Sequence, residues 1–361
     1  MNKLLLPAGL LALLVMQPAV SVAQHEAGDD DVLRIRSNGR TRIEIHEGNQ
    51  VAVYTGGVQF EYQDYRLSAD SLRYSQADSF AEATGNVHLE QTGSRLDTQR
   101  VEIYIDENLL RCPGEISGML SEQGLAFNAE SGTVKLTGQP GDEQSTYRIE
   151  LRDKVQVFSR EGYQFTTSIM TMDTDSGLVN VPQPFSLLLP VADDARSGPS
   201  ATPVMMSDLV LNGASMTGQL DERNQLSSLH ALATEIKGEQ LNFSAGSVNA
   251  KFLDNGHDGT MIDLLATGSP VRGSLRQPQQ DLSFSADTIS GTIDPGYGSQ
   301  FLLSGGIDLS ADMALLKSDL LSIVQDQQGV RIVFPEGLEA GMALDVISGN
   351  EGLDLSEILH K

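Results

Sequence analysis

The chain has no tryptophan, one cysteine, and only 24 basic residues against 49 acidic ones. Each shortage excludes something. A lone cysteine, Cys112, rules out an intramolecular disulfide, so burial and strand pairing alone must hold the fold. Aromatic residues make up 5% of the chain, so its core must be aliphatic, with Phe and Met as occasional large fillers. A net charge of −25 repels phosphates and anionic membrane faces, which argues against nucleic acid as a main partner. The acids are spread along the chain as on a solvated exterior, and only Asp29-Asp30-Asp31 forms a run.

Catalytic and metal signatures are also scarce. The six histidines, His25, His46, His88, His230, His257 and His360, show no ligand spacing. Asp254-Asn255-Gly256-His257-Asp258-Gly259 has the oxygen donors of a calcium loop but lacks the closing Glu, and reads as a hairpin turn. There is no Gly-x-Ser-x-Gly elbow and no phosphate-binding Gly-rich loop. The expectation is a protein without enzymatic activity, cofactor or metal. No stretch after the first 23 residues is apolar enough to span a bilayer as a helix.

What the chain does have begins at its N-terminus. Lys3, the apolar run Leu4 to Val15, and Ser21-Val22-Ala23 have the layout of an export signal, with cleavage expected after Ala23. The alternative is an uncleaved inner-membrane anchor, which Pro7, Gln17 and Pro18 disfavour. No Cys follows Ala23, which argues against a lipid-modified N-terminus. A periplasmic location is expected.

Beyond that segment, period-2 alternation dominates. It runs through Leu33-Arg34-Ile35-Arg36, Arg42-Ile43-Glu44-Ile45-His46, Val101-Glu102-Ile103-Tyr104-Ile105 and Arg148-Ile149-Glu150-Leu151, and predicts strands. Glycine falls between such runs, as in Thr55-Gly56-Gly57, Thr92-Gly93 and Asp175-Ser176-Gly177, which read as turns.

An eight-residue pattern recurs: apolar, any, small, any, any, apolar, any, apolar. Leu67-Ser68-Ala69-Asp70-Ser71-Leu72-Arg73-Tyr74 is its clearest copy. Others begin at Leu96, Phe127, Phe165, Leu211, Phe243, Phe284 and Leu309. Positions one and three share a strand face, whereas positions six and eight share the opposite one. A straight strand would therefore put half its apolar residues in solvent. The switch predicts a bulge or sharp bend between positions three and six. A stack of bent strands makes a V-shaped, two-walled sheet with an apolar interior, each strand buried mainly by its neighbours. The alternative is an ordinary sandwich whose strands share composition.

At ~150 residues per domain, 361 residues suggest two domains. A small, polar, Pro-bearing stretch at 192–206 separates them. The expected layout is a signal peptide at 1–23, a first β-domain at 24–191, a second at 207–348, and a tail at 349–361.

The segments Tyr54-Thr55-Gly56-Gly57-Val58, Leu67-Ser68-Ala69-Asp70-Ser71-Leu72-Arg73-Tyr74, Ala83-Thr84-Gly85-Asn86-Val87-His88-Leu89 and Leu96-Asp97-Thr98 together suggest a family. They resemble the OstA-like domain of lipopolysaccharide-transport proteins of the LptA type. That family alternates a Gly-Asn-Val strand with a Leu-x-Ala-Asp-x-x-x-Tyr strand. Residues 147–190, with Asp153-Lys154-Val155-Gln156-Val157 and Phe165-Thr166-Thr167, resemble the LptC type. Residues 240–334 share the rhythm, with Phe284-Ser285-Ala286-Asp287 matching and Ala266-Thr267-Gly268-Ser269-Pro270-Val271 departing from the pattern.

The resemblance implies a bent β-jellyroll that stacks end to end and shields lipid acyl chains in its cleft. Lipopolysaccharide or another acylated envelope lipid is the implied ligand, and other β-jellyroll transport proteins, or a second copy, are the implied partners through strand edges. The candidate lipid-facing residues are Leu67, Leu72, Leu96, Val101, Phe127, Phe165, Met170, Phe243, Val248, Phe284 and Ile289. Met170, Met172, Met205, Met206 and Met216 would adapt to varied chains. For each inward residue, packing on its neighbours is the alternative. Two alternatives for the whole chain remain: a structural or adhesive envelope protein without a ligand, and a polysaccharide-active β-solenoid enzyme.

Overall fold

The structure is a computed structural model. It describes residues 34–333, apart from 47–48, 63–64, 92–93, 121–123, 137–146, 161, 174, 190–208, 222–225, 239–240, 255–259, 277–280, 295–297, 312–313 and 327–328, together with 345–346. The expected signal, the Asp29 to Asp31 run, the linker at 192–206 and the tail at 349–361 lie outside the described residues, as do 255–259 of the expected hairpin turn.

Every regular element among the described residues is a strand. The chain forms two compact units. The first takes the chain up to Leu187 together with Met216–Leu226, and the second takes Leu188–Ser215 together with the chain from Ser227 onward.

In the first unit, β1 (Arg34–Ser37) and β2 (Thr41–His46) both pair with β3 (Asn49–Tyr62), as two arms of one bent strand. Antiparallel pairing then runs through β4 (Tyr65–Ser75), β5 (Phe80–Gln91) and β6 (Ser94–Tyr104). Next come β7 (Leu109–Cys112) and β8 (Ile116–Leu120), which pair with opposite ends of β6. Pro113 lies at the break between them, where a residue without an amide hydrogen cannot hold a ladder bond. Similarly, β9 (Leu125–Ala129) and β10 (Ser131–Leu136) are the two arms that pair with β11 (Tyr147–Ser159). Strand β11 pairs with β12 (Gln164–Asp173), and β12 with β13 (Leu178–Val181). Strands β14 (Phe185–Leu189) and β16 (Ser215–Leu220) follow, the latter pairing with β13, while β15 (Leu209–Gly213), between them in the chain, belongs to the second unit.

The second unit repeats the plan with longer strands. Strand β17 (Leu226–Lys237) pairs with β15 and with β18 (Leu241–Asp254). Pairing continues through β19 (Thr260–Arg276), β20 (Asp281–Asp294), β21 (Gly298–Ala311), β22 (Ala314–Asp326) and β23 (Gly329–Val333). The two-residue β24 (Asp345–Val346) meets the start of β22.

The expected bend is present in both units. In β4, Leu67 and Ala69 are buried, and so is Leu72, three residues on. Strand β18 buries Leu241, Phe243 and Ala245, then Val248 and Ala250. Strand β20 buries Leu282, Phe284 and Ala286, then Ile289 and Ile293. At most of these bends the pairing register slips, as between Thr84 and Val87 where β5 meets β6 and between Ser304 and Ile307 where β21 meets β22, whereas β17 and β18 change parity together without a slip. Each slip sets an extra residue in one strand against its neighbour, which kinks the strand as a β-bulge does. The bends divide each unit into two walls with apolar inner faces.

Three sequence expectations need correction. The copy of the repeat that begins at Leu309 is not a bend. Strand β21 ends at Ala311, which pairs with Ala314 at the start of β22, so the pattern spans a hairpin. The bend of β22 instead follows Ser318. Gly56-Gly57 is not a turn between strands but the bend inside β3. Ile43 and Ile45 form a strand as expected, yet stand 69% and 76% exposed, because β2 is an edge with one described neighbour.

Candidate functional site

The bends are built from a recurring polar clasp. At the β4–β5 bend, Gly85 and Asn86 both have positive φ, at 75° and 47°. The Asp70 side chain lies over Gly85, where a Cβ would overlap its carboxylate. Asn86 Nδ2 donates to Asp70 Oδ2 at 3.0 Å. At the β20–β21 bend, Asp287 lies over Gly305 in the same way, and Gly305 and Gly306 have φ of 75° and 50°. At the β10–β11 bend the left-handed pair is Asp153-Lys154, without glycine, and Glu130 Oε1 takes Lys154 Nζ at 2.5 Å. The acid in each case follows the small residue at position three: Ala69-Asp70, Ala129-Glu130, Ala286-Asp287. The eight-residue pattern leaves that place open to any residue, although the recurring acid there is a signal in the sequence.

Two bends carry a threonine at position three. Thr98 Oγ1 donates to the Glu115 carbonyl at 2.8 Å, and Thr167 Oγ1 donates to the Pro184 carbonyl at 3.1 Å. Both carbonyls sit where the neighbouring strand is interrupted. The hydroxyls satisfy acceptors that would otherwise be left unpaired beside the core.

Inside the walls, all eleven candidate residues face the interior, in rows that cross the strands. In one wall of the first unit the row runs Phe60, Leu67, Leu89, Leu96, Gly118, Phe127, Val157, Phe165, each paired with the next. The Phe127 ring fills the space over Gly118. Phe165 stacks on Phe185 with ring centroids 5.8 Å apart. In the other wall, Tyr54, Leu72, Ala83 and Val101 form one row, and Cys112, Gly132, Leu151 and Met170 another. Leu67, Leu72 and Val101 belong to one buried cluster, and Leu96, Phe127 and Met170 pack against it.

In the second unit, Ile236, Phe243, Gly273 and Phe284 form a row in one wall, with the Phe284 ring over Gly273. Ala231, Val248, Ala266, Ile289, Leu303 and Leu321 form a row in the other. Phe243 and Phe301 come from opposite walls and meet edge to face, centroids 6.4 Å apart.

The two interiors differ in access. Phe243, Val248, Phe284 and Ile289 are exposed by 3, 0, 4 and 1%. Leu96, Phe127, Phe165 and Met170 are only half-buried, and so are Leu89, Val157 and Met172 beside them. In the first unit's front wall the row nearest the bend is closed, with Val87, Ile116 and Val155 buried, and the next row outward is part open. Met216 is buried, and Met205 and Met206 lie outside the described residues.

The carboxylate of Asp97 is neutralised at the margin of this interior, and the thiol of Cys112 lies within it. His88 Nδ1 and Arg95 both bond Asp97; burial raises the Asp97 pKa, but these partners outweigh it and leave it below the usual carboxylate range. The Cys112 thiol is pushed up to about 12, chiefly by burial and then by the Glu102 charge. Among the described residues no group of three or more His, Cys, Asp or Glu is placed to hold a metal.

The fold thus defines a class: antiparallel stacks of bent strands with an apolar inner face. Residues 66–178, within the first unit, match the family model of the LptA/(LptD N-terminal domain) lipopolysaccharide-transport protein, so the OstA-like resemblance holds for this segment. Among solved structures, the chain is similar to LptH of Pseudomonas aeruginosa, the LptA-homologous periplasmic component of its lipopolysaccharide transport device. The identity is 12%, the likeness covers 39% of this chain and 94% of that one, and the TM-score is 0.29. No curated protein matches the sequence.

Proposed function

We propose that the chain serves lipopolysaccharide transport in the periplasm as a non-enzymatic bridge, and that its first unit holds acyl chains against the row from Leu67 to Phe165. The observation that carries this reading is the coincidence of two things in one segment. The family match at 66–178 contains nearly the whole part-open apolar row. Acyl chains need no catalytic group. Each methylene taken from water contributes about 0.8 kcal/mol. The acidic exterior disfavours a direct clamp on a phosphorylated headgroup, so the acyl chains are the part held.

The first unit also has a means of assembly. Strand β2 pairs only with β3 among the described residues, and its Ile43 and Ile45 continue the inner face outward. An edge of this kind invites strand addition by another β-jellyroll transport protein or by a second copy.

Photo-crosslinking tests the reading. A photoreactive residue at Phe127 or Phe165 should label co-purified lipopolysaccharide, and one at Phe243 should not. Absence of lipid adducts from every inward position would overturn it. The ligand-free structural reading is favoured by one observation, the closed interior of the second unit, and it would gain from that outcome.

A further inference from the structure

Two tyrosines turn inward in the first unit, among apolar neighbours. Tyr54 on β3 is paired with Leu72, and Tyr74 on β4 with Ala52 on one side and Ala81 on the other. Both rings are part-buried and pack against the unit's core cluster. Leu72, Ala83 and Val101 continue the row of Tyr54, and Ala81 and Ile103 continue that of Tyr74, so neither row brings a polar side chain beside these hydroxyls. Neither hydroxyl has a hydrogen-bond partner among the described residues. Tyr104, by contrast, faces away from the interior between the buried Ile103 and Ile105, and donates to Glu102 Oε2 at 3.0 Å.

A tyrosine hydroxyl drawn out of water ordinarily takes a partner. Phenylalanine would serve if packing were the whole task. The closed second unit does use Phe243, Phe284 and Phe301 inside, and has no tyrosine in its described inner rows. Burial pushes the Tyr74 hydroxyl above the ordinary tyrosine range, so it stays protonated and able to donate. Tyr54 and Tyr74 are diagonal neighbours across β3 and β4, close enough for both to reach one ligand group. The part-open row of the other wall begins one strand on, at Leu89 of β5, and runs through Leu96 and Gly118 to Phe127. Strand spacing of about 4.8 Å puts roughly 14 Å between β4 and β8. One leaflet's acyl chains reach about 15 Å, half of a bilayer's hydrocarbon thickness. A chain with its head at the tyrosines and its tail along that row ends near Gly118, where the Phe127 ring lies.

We propose that Tyr54 and Tyr74 anchor the head of an acyl chain, each donating a hydrogen bond to its ester or amide carbonyl. This rests on the lipid reading of the first unit, and adds to it the end at which the polar head is held. A carbonyl oxygen offers two lone pairs to the two donors. An ether oxygen is a weaker acceptor, and a bare hydrocarbon offers none.

Equilibrium binding of two probes to the full chain tests the anchor. One is the dodecanoyl ester of a sugar and the other the dodecyl ether of the same sugar, both below their micelle-forming concentrations. The ester is expected to bind more tightly. Tyr54→Phe and Tyr74→Phe should each weaken ester binding about fivefold, as loss of one neutral hydrogen bond does, and leave ether binding unchanged. The double variant should bind the two probes alike. Tyr104→Phe should keep the ester preference. Phenylalanine preserves the ring packing, and thermal unfolding of each variant checks that the fold is retained. Equal binding of the two probes by the unaltered chain overturns the proposal and leaves the lipid reading standing, and so does an ester preference that survives in the double variant. Failure of both probes to bind overturns the lipid reading, and the proposal with it.

Discussion

The two units share a plan and differ in what they do with its interior. Both bend their strands at an acid-over-glycine clasp, Asp70 on Gly85 in one and Asp287 on Gly305 in the other. Both set a phenylalanine ring over a glycine of the next strand, Phe127 on Gly118 and Phe284 on Gly273. Yet the second unit closes its interior with Phe243 against Phe301, whereas the first leaves the row through Leu96, Phe127 and Phe165 half-open. The same strand chemistry can make either a filled core or an accommodating one. The difference lies in strand length and continuity. The long, unbroken β18 to β22 face one another over many residues. The short arms β7 to β10 and β13 are interrupted near their bends and cover less of the opposite wall.

That contrast can be broken by experiment. Phe284→Ala should cost about 3–5 kcal/mol in chemical unfolding, because its ring is fully enclosed. Phe127→Ala should cost clearly less, since its side chain is only part-buried. Equal losses would end the distinction between the interiors. Next in size, Gly85→Ala and Gly305→Ala should each cost about 2–3 kcal/mol, from the left-handed backbone and the overlap with the acid. Each should destabilise its own unit, read by hydrogen exchange in the strands around it, and a neutral outcome at either would remove the clasp.

Asp70→Ala should cost about 1 kcal/mol through the lost Asn86 bond. Asp287→Ala should cost less, because Gly306 offers no side-chain partner in the place of Asn86. The mildest test concerns Cys112. Its raised pKa means that the buried neutral thiol is favoured below the ordinary thiol range, and that this stabilisation is lost as pH rises toward 12. At pH 8 the native chain should resist alkylation that denatured chain undergoes at once. Rapid native labelling would mean that the first unit opens near its bend as well as at its mouth.

Much of the fold was legible in the residues. The shift from Leu67 and Ala69 to Leu72 announced the bend, and Phe243, Ala245 and Val248 announced it again. All eleven candidate residues were placed on the inner faces by that pattern. The bends of the other strands were harder to see. In β5, Ala81 and Ala83 are followed by Val87, which keeps the parity and hides the extra residue. The mistaken copy at Leu309 shows the limit of spacing: the pattern is satisfied, but a hairpin at Ala311 and Ala314 satisfies it as well.

By itself the sequence determined the class of fold, the inward set of side chains and the one strong motif segment, because alternation and parity act within a few residues of each strand. It also determined that no disulfide could help, since Cys112 is alone. Only the tertiary structure decided which inward residues are enclosed and which stay part open. Burial depends on what the opposite wall brings to the same place, and neither wall's own sequence contains that information. The same holds outside the core. Ser247, Thr267, Leu265 and Leu302 come from different strands, and only strand register gathers them on one outer face.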